Sequence, residues 1–131
     1  MKKQRDVIEW IDKAEQDYQT ALTMARKRSK PVPDIVGFHS QQCIEKYLKA
    51  FLVSKKTDFP KTHDLIELLE IANTKDPLMD ILRPDLRILN PFSVQFRYPG
   101  ETATLKESKT AVKTVKKVRK FFRKKFGLPG N

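Results

Sequence analysis

The chain has 131 residues, which is enough for one ordinary domain and too few for two. Its composition, 39% hydrophobic and 33% charged, is typical of a globular protein with a heavily charged surface. No stretch approaches the ~20 apolar residues of a membrane span, the first residues lack an apolar signal core, and one cysteine, Cys43, excludes an internal disulfide. We therefore expect one cytoplasmic domain over residues 1–131, with its core at about 6–126 and no membrane partner.

The net charge of +11 is concentrated near the end of the chain. Residues 101–131 contain ten Lys or Arg and two acids, whereas the first hundred residues contain 17 and 14. Such a basic segment indicates either a surface for a polyanion or a solvated helix face, and the sequence leaves both interpretations open.

The first two predicted helices are separated by a proline-containing break. Apolar residues at steps of three and four predict a helix over 6–28: Val7, Trp10, Ile11, Ala14, Tyr18, Ala21, Leu22 and Ala25. Pro31 and Pro33 end it, and Asp34 is predicted to cap a second helix at 35–55. Helical winding gives this second helix an apolar face with Ile44, Tyr47, Leu48, Phe51 and Leu52. On roughly the opposite side it predicts a polar strip, made of His39, Gln42, Lys46 and Lys49.

The remaining elements are also helical. Thr62 is predicted to cap a short third helix, and Asp76 followed by Pro77 begins a fourth, which extends to about Leu89 and is broken near Pro84. Residues 90–100 read as an ordered loop with aromatic anchors. A fifth helix at 102–127 has an inner stripe of Ala111, Val115, Val118, Phe122 and Phe126. The predicted fold is all-α, an up-and-down helical bundle of four to five helices.

Residues 38–50, FHSQQCIEKYLKA, closely resemble the second-helix signature of HEPN domains. Three further features occur in the order typical of that family: Trp10, Ala14 and Asp17 in the first helix, Thr62-His63-Asp64-Leu65 at the third, and Arg97-Tyr98-Pro99 before the last. The resemblance extends from Val7 to about Phe122. It implies a helical bundle that pairs into a homodimer and is often encoded beside a minimal nucleotidyltransferase.

The family also suggests what the protein does. Some HEPN relatives are ribonuclease toxins of toxin–antitoxin pairs, and others are regarded as nucleotide-binding or substrate-binding modules. The ribonucleases use an arginine with a histidine about four to six residues further on. Here, residues 32–37 before His39 and 56–58 before His63 contain no arginine, and Thr102, Ala103 and Thr104 follow Arg97 at that spacing. Ribonuclease activity is therefore not expected, although a divergent active site remains an alternative.

The predicted ligand-binding residues are Arg97, Tyr98, His39, Gln42, Lys46 and Lys49. Arg97 offers a planar fork for a phosphate, and Tyr98 offers a ring for stacking. Alternatively, Arg97 pairs with a buried acid, Asp17 or Glu45, and only fixes its loop. A structural ion pair is expected for Asp17, and a hydrogen bond to a neighbouring helix for His63.

The last helix is the predicted nucleic-acid surface, through Lys113, Lys116, Lys117, Lys120, Arg123 and Lys124, and it keeps RNA binding open as a further function. No cofactor or metal is expected, because two separated histidines and one thiol do not form a ligand set. The leading hypothesis is a dimeric module that binds a nucleotide or a nucleotidyltransferase partner. The two alternatives are a divergent ribonuclease toxin and a nucleic-acid-binding protein.

Overall fold

The computed structural model describes residues 2–93 and 99–131, with side chains from residue 5 onward. It contains five α-helices: α1 (Lys2–Ala25), α2 (Pro33–Ser54), α3 (Leu65–Asn73), α4 (Arg83–Leu89) and α5 (Leu105–Lys125). A first 3-10 helix (Pro77–Leu82) precedes α4, and a second (Asn90–Ser93) follows it. The described residues include no strand, so the predicted all-α bundle is confirmed.

The contacts of α1 and α5 with α2 show the direction in which each of them runs. Asp17 of α1 contacts both His39 and Lys46 of α2, and Trp10 lies beside Lys49, so these two helices are antiparallel. Tyr47 stacks on Phe122, while Val36 shares a groove with the beginning of α5, so α5 runs parallel to α2. The chain returns from the end of α5 to the beginning of α2 through the first 3-10 helix and α4, since Asp76 is bonded to Lys125 and Phe92 packs against Gly37.

The core lies around α2, whose predicted apolar face is confirmed. Its large side chains are at most 1% exposed, and Phe122 of α5 and Leu86 and Leu89 of α4 are fully buried with them. Sixteen of the predicted inner positions share this core or pack against it: Val7, Trp10, Ile11, Ala14, Tyr18, Leu22, Ile44, Tyr47, Leu48, Phe51, Leu52, Ala111, Val115, Val118, Phe122 and Phe126. No helix in the described ranges is both long enough and apolar enough to cross a membrane.

Several helix ends differ from the prediction because other residues supply the caps. Pro33 occupies the first turn of α2, and the Asp34 carboxylate instead accepts a hydrogen bond from the Ala103 N–H at 2.9 Å. The cap of α3 is Asp64 and not Thr62, since the Asp64 carboxylate accepts from the first backbone N–H groups of that helix. The prediction of Asp76 as a cap is confirmed, but the turns after Pro77 are 3-10.

The ends of α1 and α5 also differ from the prediction. α1 ends at Ala25, which is exposed, and does not extend to residue 28. α5 begins later than predicted, because Thr104 and Glu107 form a capping box that fixes its first turn. After α5, Gly127 has a φ of +72°, and the Leu128 N–H donates to the Arg123 carbonyl at 2.7 Å, which closes the helix.

Candidate ligand-binding site

A buried carboxylate of α1 holds two basic side chains of α2. Asp17 is 8% exposed. Its Oδ1 lies 2.8 Å from Nδ1 of His39, and its Oδ2 accepts a hydrogen bond from the Lys46 ammonium group. His39 and Lys46 are seven residues apart, so two helical turns bring them to the same side of α2. Asp17, His39 and Lys46 are called the His39 cluster below, and the structural ion pair expected for Asp17 is present.

The His39 cluster is sheltered but accessible. The side chains of His39 and Lys46 are each 22% exposed. The hydrogen bond to Asp17 orients the His39 ring through Nδ1, and Nε2 bonds to none of the described residues. Since the carboxylate offsets the Lys46 charge, the cluster carries a net positive charge only when His39 is protonated.

A second buried carboxylate, that of Glu45 in α2, also holds a histidine and a lysine. Glu45 is 3% exposed, and its Oε1 lies 2.9 Å from Nδ1 of His63 and accepts a hydrogen bond from the Gln42 amide at 3.1 Å. Its Oε2 accepts from the Lys49 ammonium at 3.0 Å. The hydrogen bond predicted between His63 and a neighbouring helix is therefore confirmed, with Glu45 as the partner.

Lys49 does not belong to an exposed polar strip, so that part of the prediction is wrong. It is 7% exposed, and its ammonium lies 5.6 Å from the centre of the Trp10 ring and 5.8 Å from that of Phe59. Trp10 of α1 and Phe59, in the connection before α3, cover the strip at Lys49. A buried ammonium is tolerated there because the Glu45 carboxylate and two ring faces replace its water.

Arg97 and Tyr98 lie outside the described residues. The described residues on both sides of them contact the first turns of α2. The Phe92 ring packs against Gly37, where an added Cβ would lie 2.0 Å from the ring, and Ala103 is bonded to Asp34. Gly37 and Asp34 precede His39 on the same helix by two and five residues.

The basic residues of α5 fall into two groups. Lys113, Lys116, Lys120 and Lys124 are exposed, as predicted. Lys117 is 3.3 Å from the Asp85 carboxylate. Arg123, expected to face water, is half-buried, and donates to the Tyr47 hydroxyl at 3.3 Å and to a backbone carbonyl of the C-terminal tail.

An ion-pair cluster between α1 and α5 was missed in the sequence. Arg119 is 5% exposed, and donates to both carboxylate oxygens of Glu15, at 2.8 and 2.7 Å. Burial favours a higher pKa for Glu15, but the hydrogen bonds from Arg119 and Tyr47 outweigh it, so the pKa is lowered. Burial and the Glu15 carboxylate together raise the pKa of Tyr47. The spacing offered a signal, since Arg119 lies four residues after Val115 and three before Phe122, on the inner stripe.

The model of the HEPN domain family matches residues 7–125. The chain belongs to the HEPN family. No curated protein and no solved structure matches the chain significantly. The HEPN match extends from α1 to the end of α5, so it includes the His39 cluster, the Glu45 carboxylate and Arg119.

The HEPN domain has no evident metal site in its described part. No group of three or more His, Cys, Asp or Glu side chains is arranged there to hold a metal ion. Cys43 is fully buried, and this burial, together with nearby carboxylates, raises the pKa of its thiol. A buried thiol of this kind is a packing residue and not a nucleophile.

Proposed function

We propose that this HEPN-domain protein acts in the cytoplasm as a homodimeric, non-catalytic module of a toxin–antitoxin-like pair. It binds a nucleotide, or a minimal nucleotidyltransferase that presents one, at the His39 cluster. The observation that carries the proposal is that His39 and Lys46 are held on one carboxylate, sheltered and yet accessible. Donors with fixed positions bind a phosphate group with less loss of side-chain entropy than mobile surface lysines do.

Arg97 and Tyr98 are proposed to complete this site. The contact between Phe92 and Gly37 and the bond between Ala103 and Asp34 tie both flanks of residues 94–98 to the helix that carries His39. A guanidinium from this segment would add a bidentate phosphate contact, and a tyrosine ring would add a stacking face for a base. Gln42, three residues after His39 on α2, would contribute its amide oxygen, since its amide nitrogen donates to Gln41 and Glu45.

A second candidate function rests on α5. Lys113, Lys116, Lys120 and Lys124 are exposed, and none of them forms an ion pair with another described residue. These four charges suit the backbone of a long RNA, which requires charge but little fixed geometry and whose binding weakens steeply with salt. They suit a single nucleotide less well, because each exposed contact is weak and screened.

The two functions are separated by measuring ATP binding by calorimetry and binding of single-stranded RNA by fluorescence anisotropy. Arg97→Ala and His39→Ala should weaken ATP binding about tenfold, which corresponds to ~1.4 kcal/mol. A variant with Lys116, Lys117 and Lys120 all changed to Gln should keep ATP binding and lose RNA binding. His63→Ala is the control, because it removes a histidine that is also bonded to a carboxylate but lies outside the proposed site; ATP binding should be unchanged.

Two results would overturn the nucleotide site. One is loss of ATP binding in the triple lysine variant while a folded Arg97→Ala protein retains it. The other is absence of ATP binding by the unmodified protein at millimolar concentration. The partner is tested by co-purification with the product of the adjacent reading frame, where a small nucleotidyltransferase that remains bound, and is lost with His39→Ala, supports the proposal.

A further inference from the structure

An open groove separates the end of α1 from the beginning of α5. The connection between α1 and α2 forms its third side, and its volume is about 260 Å³. The groove shares no residue with the His39 cluster, so it is a different site from the one proposed to bind a nucleotide.

The floor of the groove is aliphatic. Val36 is buried beneath it, and Pro31, Val32 and Pro33 form one wall. On α5, Leu105 and Val112 are seven residues apart and face the same side, and Leu105 is 52% exposed. Surfaces that bind an apolar side chain of a partner often have a half-exposed leucine beside a preformed apolar groove.

The rim of the groove is basic. Lys27 and Lys109 line it from opposite sides, and its lining contains no acidic residue. The same connection between α1 and α2 adds Arg26, Arg28 and Lys30, and all three are exposed. This local concentration of positive charge lies at the end of α5 where its row of exposed lysines begins, and it would attract a negatively charged partner before contact.

We propose that this groove binds an acidic segment of a partner protein that carries one or two apolar anchor residues. The charge of the rim complements acidic side chains, and the aliphatic floor complements the anchor. A nucleic acid fits less well, because no aromatic ring lines the groove to stack on a base and an aliphatic floor contributes nothing to phosphate contacts. The volume matches a side chain or two and not a whole helix face.

The probe for this surface is a fluorescein-labelled peptide of about 15 residues that carries two leucines, at helical i and i+4 positions, and glutamates elsewhere. Its binding to the full chain is measured by fluorescence anisotropy. We expect a Kd on the order of 10–100 µM, in the range of weak, transient interfaces. A peptide with lysine in place of every glutamate should not bind.

Matched variants localise the binding to the groove. Leu105→Asp should weaken peptide binding about tenfold, whereas Ile8→Asp, at a residue of α1 that is also 52% exposed, should leave it unchanged. Both substitutions fall in the first turns of a helix, where an added carboxylate is tolerated. The pair Lys27→Glu and Lys109→Glu should abolish binding, and the pair Lys120→Glu and Lys124→Glu, with the same change in charge, should retain it.

Three outcomes would overturn the proposal. The first is absence of peptide binding by the unmodified protein at about 1 mM. The second is a binding site for oligouridine that is lost with the Lys27 and Lys109 changes and kept with Leu105→Asp, which would make the groove a polyanion surface. The third is conversion of a dimer to a monomer by Leu105→Asp, which would mean that a second copy of the chain fills the groove.

Discussion

Glu15 is the residue on which the contacts between α1, α2 and α5 converge. It accepts hydrogen bonds from the Tyr47 hydroxyl at 2.6 Å and from the Arg119 guanidinium, and Arg123 lies 3.5 Å away. Arg119 is also stacked on the Tyr18 ring, 4.2 Å from its centre. Without the Glu15 carboxylate, a buried guanidinium would keep its charge and lose its counter-charge.

We expect Glu15→Gln to lower the free energy of unfolding by about 2–3 kcal/mol at pH 7, because it leaves the Arg119 charge uncompensated. The pKa of Glu15 is lowered in the folded protein, so the carboxylate stabilises the fold above its ordinary pKa of 4.5, and this stabilisation is lost as the pH falls through the folded-state pKa. The difference between the two proteins should therefore shrink in acid.

Urea unfolding of both proteins at a series of pH values measures this difference. Asp12→Asn is the matched control, since Asp12 is an exposed acid of the same helix and its change should cost less than about 0.5 kcal/mol. A gap between Glu15→Gln and the unmodified protein that stays constant down to about pH 2 would contradict the assignment.

At the scale of the elements, the contact between α2 and the second 3-10 helix depends on the absence of a side chain at residue 37. Alanine would favour the helix by about 1 kcal/mol over glycine. The added Cβ at Gly37, however, would lie 2.0–2.7 Å from three atoms of the Phe92 ring. The ring would have to move, and with it the flank of residues 94–98.

We therefore expect Gly37→Ala to destabilise the protein by about 1–3 kcal/mol, against the helix propensity, and to weaken ATP binding through the displaced segment. The control is Gly130→Ala, where the nearest atom is a Lys120 side-chain carbon at 3.3 Å and the change should be near neutral. Thermal unfolding followed by circular dichroism, with calorimetry for ATP, gives both quantities. A more stable Gly37→Ala protein would contradict the prediction, because it would show that the Phe92 ring moves aside at little cost.

The elements were predictable to within a few residues because the apolar spacing and the prolines are local signals. The errors at their ends arose where the capping group was ambiguous. Asp34 and Thr62 both precede a helix as good caps do, but Asp34 is used to hold Ala103 and Asp64 caps α3. A choice between two adjacent capping side chains depends on tertiary contacts that spacing alone does not contain.

The candidate site was predicted less completely for a related reason. Periodicity placed His39 and Lys46 on one side of α2, and the structure brings them together. Periodicity does not indicate that α1 covers part of that side, so it does not predict the burial of Lys49. Nine other basic residues surround Arg119 between 101 and 131, and this charge obscures the signal from its position on the inner stripe.

At the scale of the whole molecule, we expect a homodimer of about twice the 15.3 kDa chain mass at micromolar concentration. The surface of α2 around Phe38 and Gln42 is the expected interface, where both side chains are partly exposed. Sedimentation equilibrium is the measurement. A mass near 15.3 kDa would contradict the prediction.

The interface is located with a pair of apolar-to-charged changes. Phe38→Asp should give a monomer with unchanged helical content. Leu78→Asp should remain a dimer, although Leu78 is 78% exposed and lies beside Ile81, which is 72% exposed. The reverse result would move the interface to the first 3-10 helix, where three residues per turn place these two side chains on one face.

We also expect no RNA cleavage above background from the purified protein. Cleavage needs an acid or base close to a cation that stabilises the developing charge on phosphorus. The arginine–histidine spacing of HEPN ribonucleases is absent, and the cation beside His39 is bonded to Asp17. End-labelled RNA on a denaturing gel is the assay, and cleavage abolished by His39→Ala or His63→Ala would reveal a divergent active site.

The bond between Glu15 and Arg119 joins residues 104 positions apart in the chain. The antiparallel pair of α1 and α2 can form from contacts much closer in sequence, whereas this bond must await closure of nearly the whole chain. A contact made after the transition state slows unfolding and has little effect on the rate of folding. The lifetime of the native bundle, rather than the speed at which it is reached, should therefore depend on this ion pair between its first and last helices.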